Sequence, residues 1–383
     1  MIKISDRANL IKPSLTRALF NKAKEYDNVI DLTLGDPDFA PPVEIQEAAY
    51  LAMKENKIHY SANAGLPMAR EMVAMNIQKV WSIDCNYNTD IAITVGGMEG
   101  LYLSLLCIVN PGDEVVILAP YYVNYLQMIQ LCGGTPVIVD SFDKERGLVI
   151  DAIEIEKKIS NKTVAIIINS PNNPTGCCLS KDDLQKIADL SIKHNLTIIS
   201  DEVYHSLIYD DKKHESILQF EYVRNKIILI DSLSKEFSMT GYRVGYVFAD
   251  PKIVSNIVKI QENVAACAAL PSQYALIRAY KGVDNQYIKQ EFQNRRNVLF
   301  NGLSKIPNIH CIQPQATFYL FMNIESTGLD AIDFAYKLLE QKQVAVVPGN
   351  AYGEMYDNYV RIAFAKKIDV LTEAVKRIGE FMN

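Results

Sequence analysis

Apolar and polar positions along the chain fall into two alternating signatures. Short runs of branched apolar residues at 89–95, 114–118, 163–168, 196–200 and 227–230 have the length and composition of buried strands. Helix-length segments lie between them. Residues 98–109 predict a helix entered through a Gly96-Gly97 turn and broken by Asn110-Pro111-Gly112-Asp113. Ser180-Lys181-Asp182-Asp183 has the form of a capping box, opening a helix with Leu184, Ile187, Ala188 and Ile192 on one face. Apolar strands separated by helices predict an α/β fold: a mainly parallel sheet covered by helices on both faces.

Past roughly Pro271 the pattern changes. A charged helical stretch at 290–303 is followed by a strand at 318–322, an amphipathic helix at 331–341 and a strand at 359–364. This predicts a second, smaller α+β domain. The expected division is 1–45 as an N-terminal arm and part of the small domain, 46–280 as the large domain and 281–383 as the rest of the small domain.

Length agrees with that division, because 383 residues exceed what one compact core usually covers. The hydrophobic share of 49% and charged share of 22% are those of an ordinary soluble globular chain. A net charge of −6 argues against nucleic acid or an anionic membrane surface as the main partner. The first 17 residues mix Lys, Asp and Arg with apolar residues and do not read as a secretory signal. With no apolar run of ~18 residues, no membrane span is expected. The seven cysteines lack zinc-ligand spacing and sit mostly in apolar segments, as reduced thiols of a cytoplasmic protein do.

The chemistry gathers where the predicted strands end, which is where open parallel sheets bind ligands. Those ends carry Gly96-Gly97, Tyr121-Tyr122, residues 169–176, residues 201–204 and residues 232–235. Each type suits a phosphorylated pyridine aldehyde. Lys235 can supply a Schiff-base amine if desolvation or a nearby cation lowers its pKa. Asp201 can pair with a pyridine nitrogen and keep it protonated, so that the ring accepts electrons. Asn173 and Tyr204 can hydrogen-bond a ring phenolate, and Tyr122 can stack on the ring. Gly96 and Gly97, opening a helix, expose N–H groups to a phosphate, with Ser232, Ser234 and Arg243 completing the cup.

Taken singly, most of these residues have blander readings. A lysine is usually solvated, Asp201 beside Glu202 fits a helix cap equally well, and Tyr121-Tyr122 is more often packing. Gly96-Gly97 matches neither common phosphate-loop pattern. Arg361, on its own, reads as half of a surface ion pair. The five histidines form no metal-ligand pattern.

In combination the motifs resemble the class I and II pyridoxal-phosphate aminotransferases, the fold-type-I or aspartate-aminotransferase superfamily. The resemblance runs over nearly the whole chain. It is carried by Gly35-Asp36-Pro37-Asp38-Phe39, residues 60–65, residues 110–114, Ala119-Pro120-Tyr121 and Asn169-Ser170-Pro171-Asn172-Asn173-Pro174-Thr175-Gly176. It continues through Asp201-Glu202-Val203-Tyr204, Ser232-Leu233-Ser234-Lys235, residues 240–246, Val347-Pro348-Gly349 and Tyr359-Val360-Arg361-Ile362.

The resemblance implies a pyridoxal 5′-phosphate cofactor held by Lys235, which also shuttles the substrate's Cα proton. It implies that Asp201 holds the pyridinium, Asn173 and Tyr204 the phenolate, and Gly97, Met98, Ser232, Ser234 and Arg243 the phosphate. Arg361 grips the substrate α-carboxylate with Gly35 and Asn173, which replaces the surface-pair reading of that arginine. Tyr60 reaches the phosphate of a neighbouring subunit, so a homodimer with shared active sites is implied. The substrates implied are an L-amino acid and a 2-oxo acid, used in ping-pong fashion. Tyr122 stands where relatives often carry tryptophan, and Met98 where several dicarboxylate-specific relatives carry a basic residue. The second departure leaves the donor open between aspartate and neutral amino acids. Lyases, synthases and amino-acid oxidases share these ring-binding residues and form the alternative reading; a cofactor-binding regulator would need a DNA-binding module.

Overall fold

The computed structural model describes residues 2–382. Seven strands form the main sheet: β1 (Ile91–Thr94), β2 (Glu114–Ala119), β3 (Thr135–Asp140), β4 (Thr163–Asn169), β5 (Thr197–Asp201), β6 (Ile227–Ser232) and β7 (Gly245–Ala249). Their spatial order is β1-β7-β6-β5-β4-β2-β3. All pairings are parallel except those of β7, which runs antiparallel to both β1 and β6. Alternate residues leave for opposite faces: Ile166, Ile168 and Ile198 join one core, Ile167, Ile199 and Ile228 the other. A run such as Thr-Val-Ala-Ile-Ile-Ile-Asn has no polar side to turn to water, so helices must cover both faces.

The helices that frame the site are α1 (Leu15–Ala23), α2 (Gly96–Ile108), α3 (Lys181–His194), α4 (Gln286–Leu303), α5 (Ala331–Lys342) and α6 (Ile368–Met382). The capping box of α3 is made in full: Ser180 Oγ accepts from the Asp183 N–H at 3.2 Å, and Asp183 Oδ2 from the Ser180 N–H at 3.3 Å. Its buried stripe runs through Leu184, Ile187, Ala188 and Ser191, while Ile192, expected on that face, is 46% exposed. Ser191 takes the inner position because its hydroxyl donates to the Leu196 carbonyl at 2.6 Å.

Two further expectations need correction. Gly96 and Gly97 are not a turn ahead of a helix but the first residues of α2 itself. Gly96 has φ +71°, and a Cβ there would lie 2.7 Å from the Arg243 guanidinium, so glycine is demanded by both conformation and space. Strands β3 and β7 were not marked by periodicity. The first is a half-exposed edge strand, and the second hides inside the Arg-Val-Gly-Tyr motif.

A second, antiparallel sheet contains β8 (His310–Cys311), β9 (Tyr319–Asn323), β10 (Val347–Pro348) and β11 (Tyr359–Ala363), in the order β8-β9-β11-β10. Its core includes Leu299 and Leu303 of α4, Phe334 and Leu338 of α5, and Leu371 and Ile378 of α6. Leu19 of α1 enters the same cluster, and Ile30–Asp31 pairs in parallel with Val344–Ala345. The chain's first segment is thereby stitched to its last third. No described helix is long and apolar enough to cross a membrane.

Register decides what meets at the rim of the main sheet. Asn169 lies opposite Asp201, Ser232 opposite Gly245, and Gly245 opposite Thr94. Residues separated by more than a hundred positions in sequence therefore share one edge.

Candidate active site

That edge borders a cavity of about 750 Å³, closed on its other side by β9, β11 and the start of α1. Lys235 sits one turn past β6, in the short helix Leu233–Glu236 whose N-cap is Ser232. Its Nζ donates to the Gly35 carbonyl at 2.8 Å and lies 5.3 Å from the Phe318 ring centroid. Burial pulls the amine down to about 8; Asp36 opposes that pull, and Arg243 and Arg361 reinforce it. An amine held there offers a substantial neutral fraction near physiological pH.

Asp201 ends β5, buried, with Oδ2 accepting from the Tyr125 hydroxyl at 2.5 Å. Burial pushes its carboxyl up to about 6, against the hydrogen bonds from Tyr125 and the Val203 N–H. Among the described residues no cationic side chain pairs with it. A carboxylate desolvated without a cation fits a protonated ring nitrogen, which would return its pKa toward the ordinary range.

Asn173 is fixed by its own N–H, which donates to Asn169 Oδ1 at 2.9 Å, while Asn169 Nδ2 donates to the Asp201 carbonyl at 3.0 Å. Its Oδ1 accepts from Arg361 Nη1 at 3.2 Å, so its amide N–H groups stay free for a ligand oxygen. Tyr204 donates to the Tyr319 hydroxyl at 3.2 Å and is buried on the same wall. Tyr122 donates to Met98 Sδ at 3.5 Å and accepts from Asn124 Nδ2 at 2.9 Å.

On the opposite flank, Ser232 Oγ bonds Ser234 Oγ at 2.8 Å and the Val244 carbonyl at 3.1 Å. Arg243, in a left-handed conformation at φ 50°, donates to the Thr240 carbonyl at 2.9 Å and faces Gly96. It makes no carboxylate pair among the described residues. With the N–H groups that open α2 at Gly97 and Met98, these side chains form a cradle for an anion.

Arg361 is buried on β11 and has no ion-pair partner among the described residues, so the surface-pair reading fails. Its guanidinium stacks 4.4 Å from the Tyr319 ring centroid and 5.2 Å from that of Tyr352, donates to the Thr33 carbonyl, and leaves Nε without a partner. Gly35 must be glycine here, because a Cβ would fall 1.7 Å from the Tyr319 hydroxyl.

Of the residues to which the resemblance assigns a cofactor or substrate role, only Tyr60 lies away from this cavity, 90% exposed on the surface. Others were missed. Tyr125 carries no motif, although it follows Tyr122 by one helical turn. Tyr319, Tyr352, Asp36, Thr16 and Arg17 come from segments far apart in sequence. Glu202 neither caps a helix nor faces the cavity. It accepts from Trp81 Nε1 at 3.0 Å and from Ser200 and Ser216 at 2.8 Å each, and it contacts His214. Beside it, His205 lies 3.2 Å from Asp231; burial lowers its pKa, but Asp231 outweighs burial and carries it to about 9. Asp231 also accepts from Tyr246 at 2.6 Å, stiffening the strand that leads to Lys235.

A lysine of lowered pKa, a buried carboxylate without a cation and an anion cradle thus meet on the rim of an α/β sheet. The model of "Aminotransferase class I and II" matches residues 27–378, and the chain belongs to that family. It is 38% identical to an aspartate aminotransferase of Pyrococcus abyssi, over 99% of this chain and 98% of that one. It is 36% identical to aromatic-amino-acid aminotransferase 2 of Thermococcus litoralis, over 99% and 98%. The aspartate aminotransferase of Thermus thermophilus with maleate superposes with a TM-score of 0.92 at 30% identity, covering 99% of this chain and 100% of that one. The chain is an aminotransferase, with an amino acid and a 2-oxo acid as substrates.

Proposed function

We propose that this enzyme binds pyridoxal 5′-phosphate in the cavity and exchanges an amino group between an L-amino acid and a 2-oxo acid by a ping-pong route. The reading rests above all on one juxtaposition: Lys235, its amine lowered to about 8, shares the cavity with Asp201, a buried carboxylate raised to about 6 and lacking a cation. When bound, the cofactor supplies the electron sink that makes a substrate Cα proton acidic. The protein's part is to bind, orient and move that proton. Asp201 holds the ring nitrogen protonated, with Tyr125 fixing the carboxylate. Asn173 and Tyr204 hold the ring oxygen, and Tyr122 covers one ring face. Ser232, Ser234, Arg243 and the N–H groups of Gly97 and Met98 hold the phosphate. Arg361 orients the substrate α-carboxylate with Asn173 and the Gly35 main chain. Lys235 removes the proton from Cα and returns it on the cofactor side.

The working unit in this reading is a cytoplasmic homodimer. Tyr60 lies in a stretch of the sequence whose exposed apolar residues include Tyr50, Met53, Ile58 and Met75, side chains suited to a second copy. Tyr60 of the partner then completes the phosphate site.

Absorbance spectroscopy tests the reaction. The protein loaded with pyridoxal phosphate is expected to lose its visible band on adding an amino acid and regain it on adding a 2-oxo acid. Release of ammonia without that return would sink it.

A further inference from the structure

Behind the cavity lies a buried cluster of polar side chains that the reaction does not employ. His205, its side chain 4% exposed, stands 3.2 Å from the fully buried carboxylate of Asp231. Neither residue lines the cavity. The Trp81 ring lies 4.9 Å from the imidazole, centroid to centroid, and Glu202 and Glu236 add negative charge around it. Burial alone would discharge His205, but Asp231, with Glu236 and Glu202 behind it, carries it to about 9 and makes the pair ionic at neutral pH. Ions taken out of water are costly, and apolar side chains of similar size often serve stability as well. Stability alone therefore does not account for the pair.

Its placement does. Strands β5 and β6 run in parallel until Asp201 lies opposite Ile230, and the Glu202 N–H donates to the Ile230 carbonyl at 3.0 Å. Past that bond, among the described residues, no backbone hydrogen bond joins residues 203–205 to residues 231–235. One segment presents Asp201 and Tyr204 to the cavity, the other Ser232, Ser234 and Lys235. His205 directly follows Tyr204, and Asp231 directly precedes Ser232. Asp231 Oδ1 accepts from the Ser232 N–H at 2.7 Å, and its Oδ2 from the Tyr246 hydroxyl at 2.6 Å. Ser232 Oγ in turn accepts from the Ser234 N–H at 3.2 Å, capping the turn that carries Lys235. A shift of Asp231 thus passes to the lysine through hydrogen bonds.

We propose that His205 and Asp231 are positioning residues, whose ion pair fastens the segment that holds the cofactor ring to the segment that carries the reactive lysine. This rests on the reaction proposed above and deepens it, because Lys235 must meet a ring held by Asp201 and Tyr204. Such chemistry tolerates little error: a misplacement of about 1 Å can cost roughly 100-fold in rate.

The test uses His205→Gln and the double variant His205→Gln with Asp231→Asn. In the single variant Asp231 keeps Tyr246 and the Ser232 N–H but loses its cation. In the double variant an amide pair of similar reach replaces the ion pair, leaving no stranded carboxylate. For cofactor-loaded His205→Gln, kcat per bound cofactor is expected to fall about 10- to 100-fold. KM for the amino donor should hardly change, because Arg361 stands on the other sheet. The double variant should recover much of the loss. A wild-type kcat per bound cofactor in His205→Gln, whatever its melting temperature, would make the pair merely structural and overturn the proposal. So would a double variant no better than the single one. Amide hydrogen exchange of cofactor-free protein, which needs no turnover, separates this claim from the reaction. Exchange in peptides covering 201–205 and 231–236 should quicken together in His205→Gln. That local loosening in a protein that transfers no amino group would reject the reaction and keep the fastening role; unchanged exchange would reject the role.

Discussion

Tyr125 donates its hydroxyl proton to Oδ2 of Asp201 at 2.5 Å, with both side chains buried. The bond favours the charged carboxylate, while burial favours the neutral acid and prevails, carrying the group to about 6. Tyr125→Phe removes the opposing influence, so Asp201 moves further up and holds a ring cation less well. The expected outcome is cofactor affinity reduced by about 10-fold, the worth of one hydrogen bond to a charged group, measured by equilibrium dialysis.

Asp201 also links stability to pH. Its folded pKa is raised above the unfolded value, so its contribution is fully present below about pH 4 and lost as pH rises through about 6. At pH 7.5 the cofactor-free fold thus carries an unfavourable contribution of about 3 kcal/mol from this one group. Asp201→Asn is expected to raise the melting temperature of cofactor-free protein at pH 7.5 but not at pH 4. The same variant should lose most of the stabilisation that cofactor gives the wild type. Calorimetry with and without cofactor checks both; equal melting curves at pH 7.5 would count against a charged, desolvated Asp201.

Lys235→Ala should abolish amino transfer, with a fall of at least about 10⁴-fold given its combined covalent and proton-transfer roles, while the circular dichroism spectrum stays unchanged. In the wild type, cofactor uptake should quicken as pH is raised through about 8, where the Lys235 amine becomes neutral. A rate flat from pH 7 to 9 would contradict the lowered amine.

Arg361→Lys keeps the charge and loses the fork. Since the guanidinium is already oriented by Tyr319, Tyr352, Asn173 and Thr33, lysine cannot reproduce its geometry. KM for the amino donor is expected to rise by about 10- to 100-fold with cofactor affinity unaltered, a split that titration and steady-state kinetics resolve.

Tyr60→Phe tests the shared site. Tyr60 is 90% exposed within one chain, so a purely monomeric enzyme would not notice the change. Cofactor affinity should drop by about 10-fold in the dimer, and Met53→Glu together with Met75→Glu should yield monomers by light scattering with the same defect.

The strand ends that carry Asp201, Ser232 and Lys235 were legible because buried parallel strands are continuous apolar runs, and the first polar residue after each is conspicuous. Helix α3 was legible because its capping box is a local hydrogen-bond exchange. Strand β3 was not: an edge strand needs neither a continuous apolar run nor strict alternation. The start of α2 was misjudged because a glycine pair reads as a turn until Arg243 is seen to occupy the space beside it.

By itself the sequence determined the α/β class, five of the seven main-sheet strands and the family, and it singled out Lys235, all through contacts or spacings local in sequence. The tertiary structure decided the rest. It buried Arg361 instead of leaving it in a surface pair, set Tyr125 against Asp201, wedged Gly35 beneath Tyr319 and brought Arg17 to the cavity wall. The physical reason is range. Helix caps and strand runs are written within a few residues, whereas register and packing between distant segments fix desolvation, and desolvation sets the pKa values and unpaired charges on which this chemistry turns.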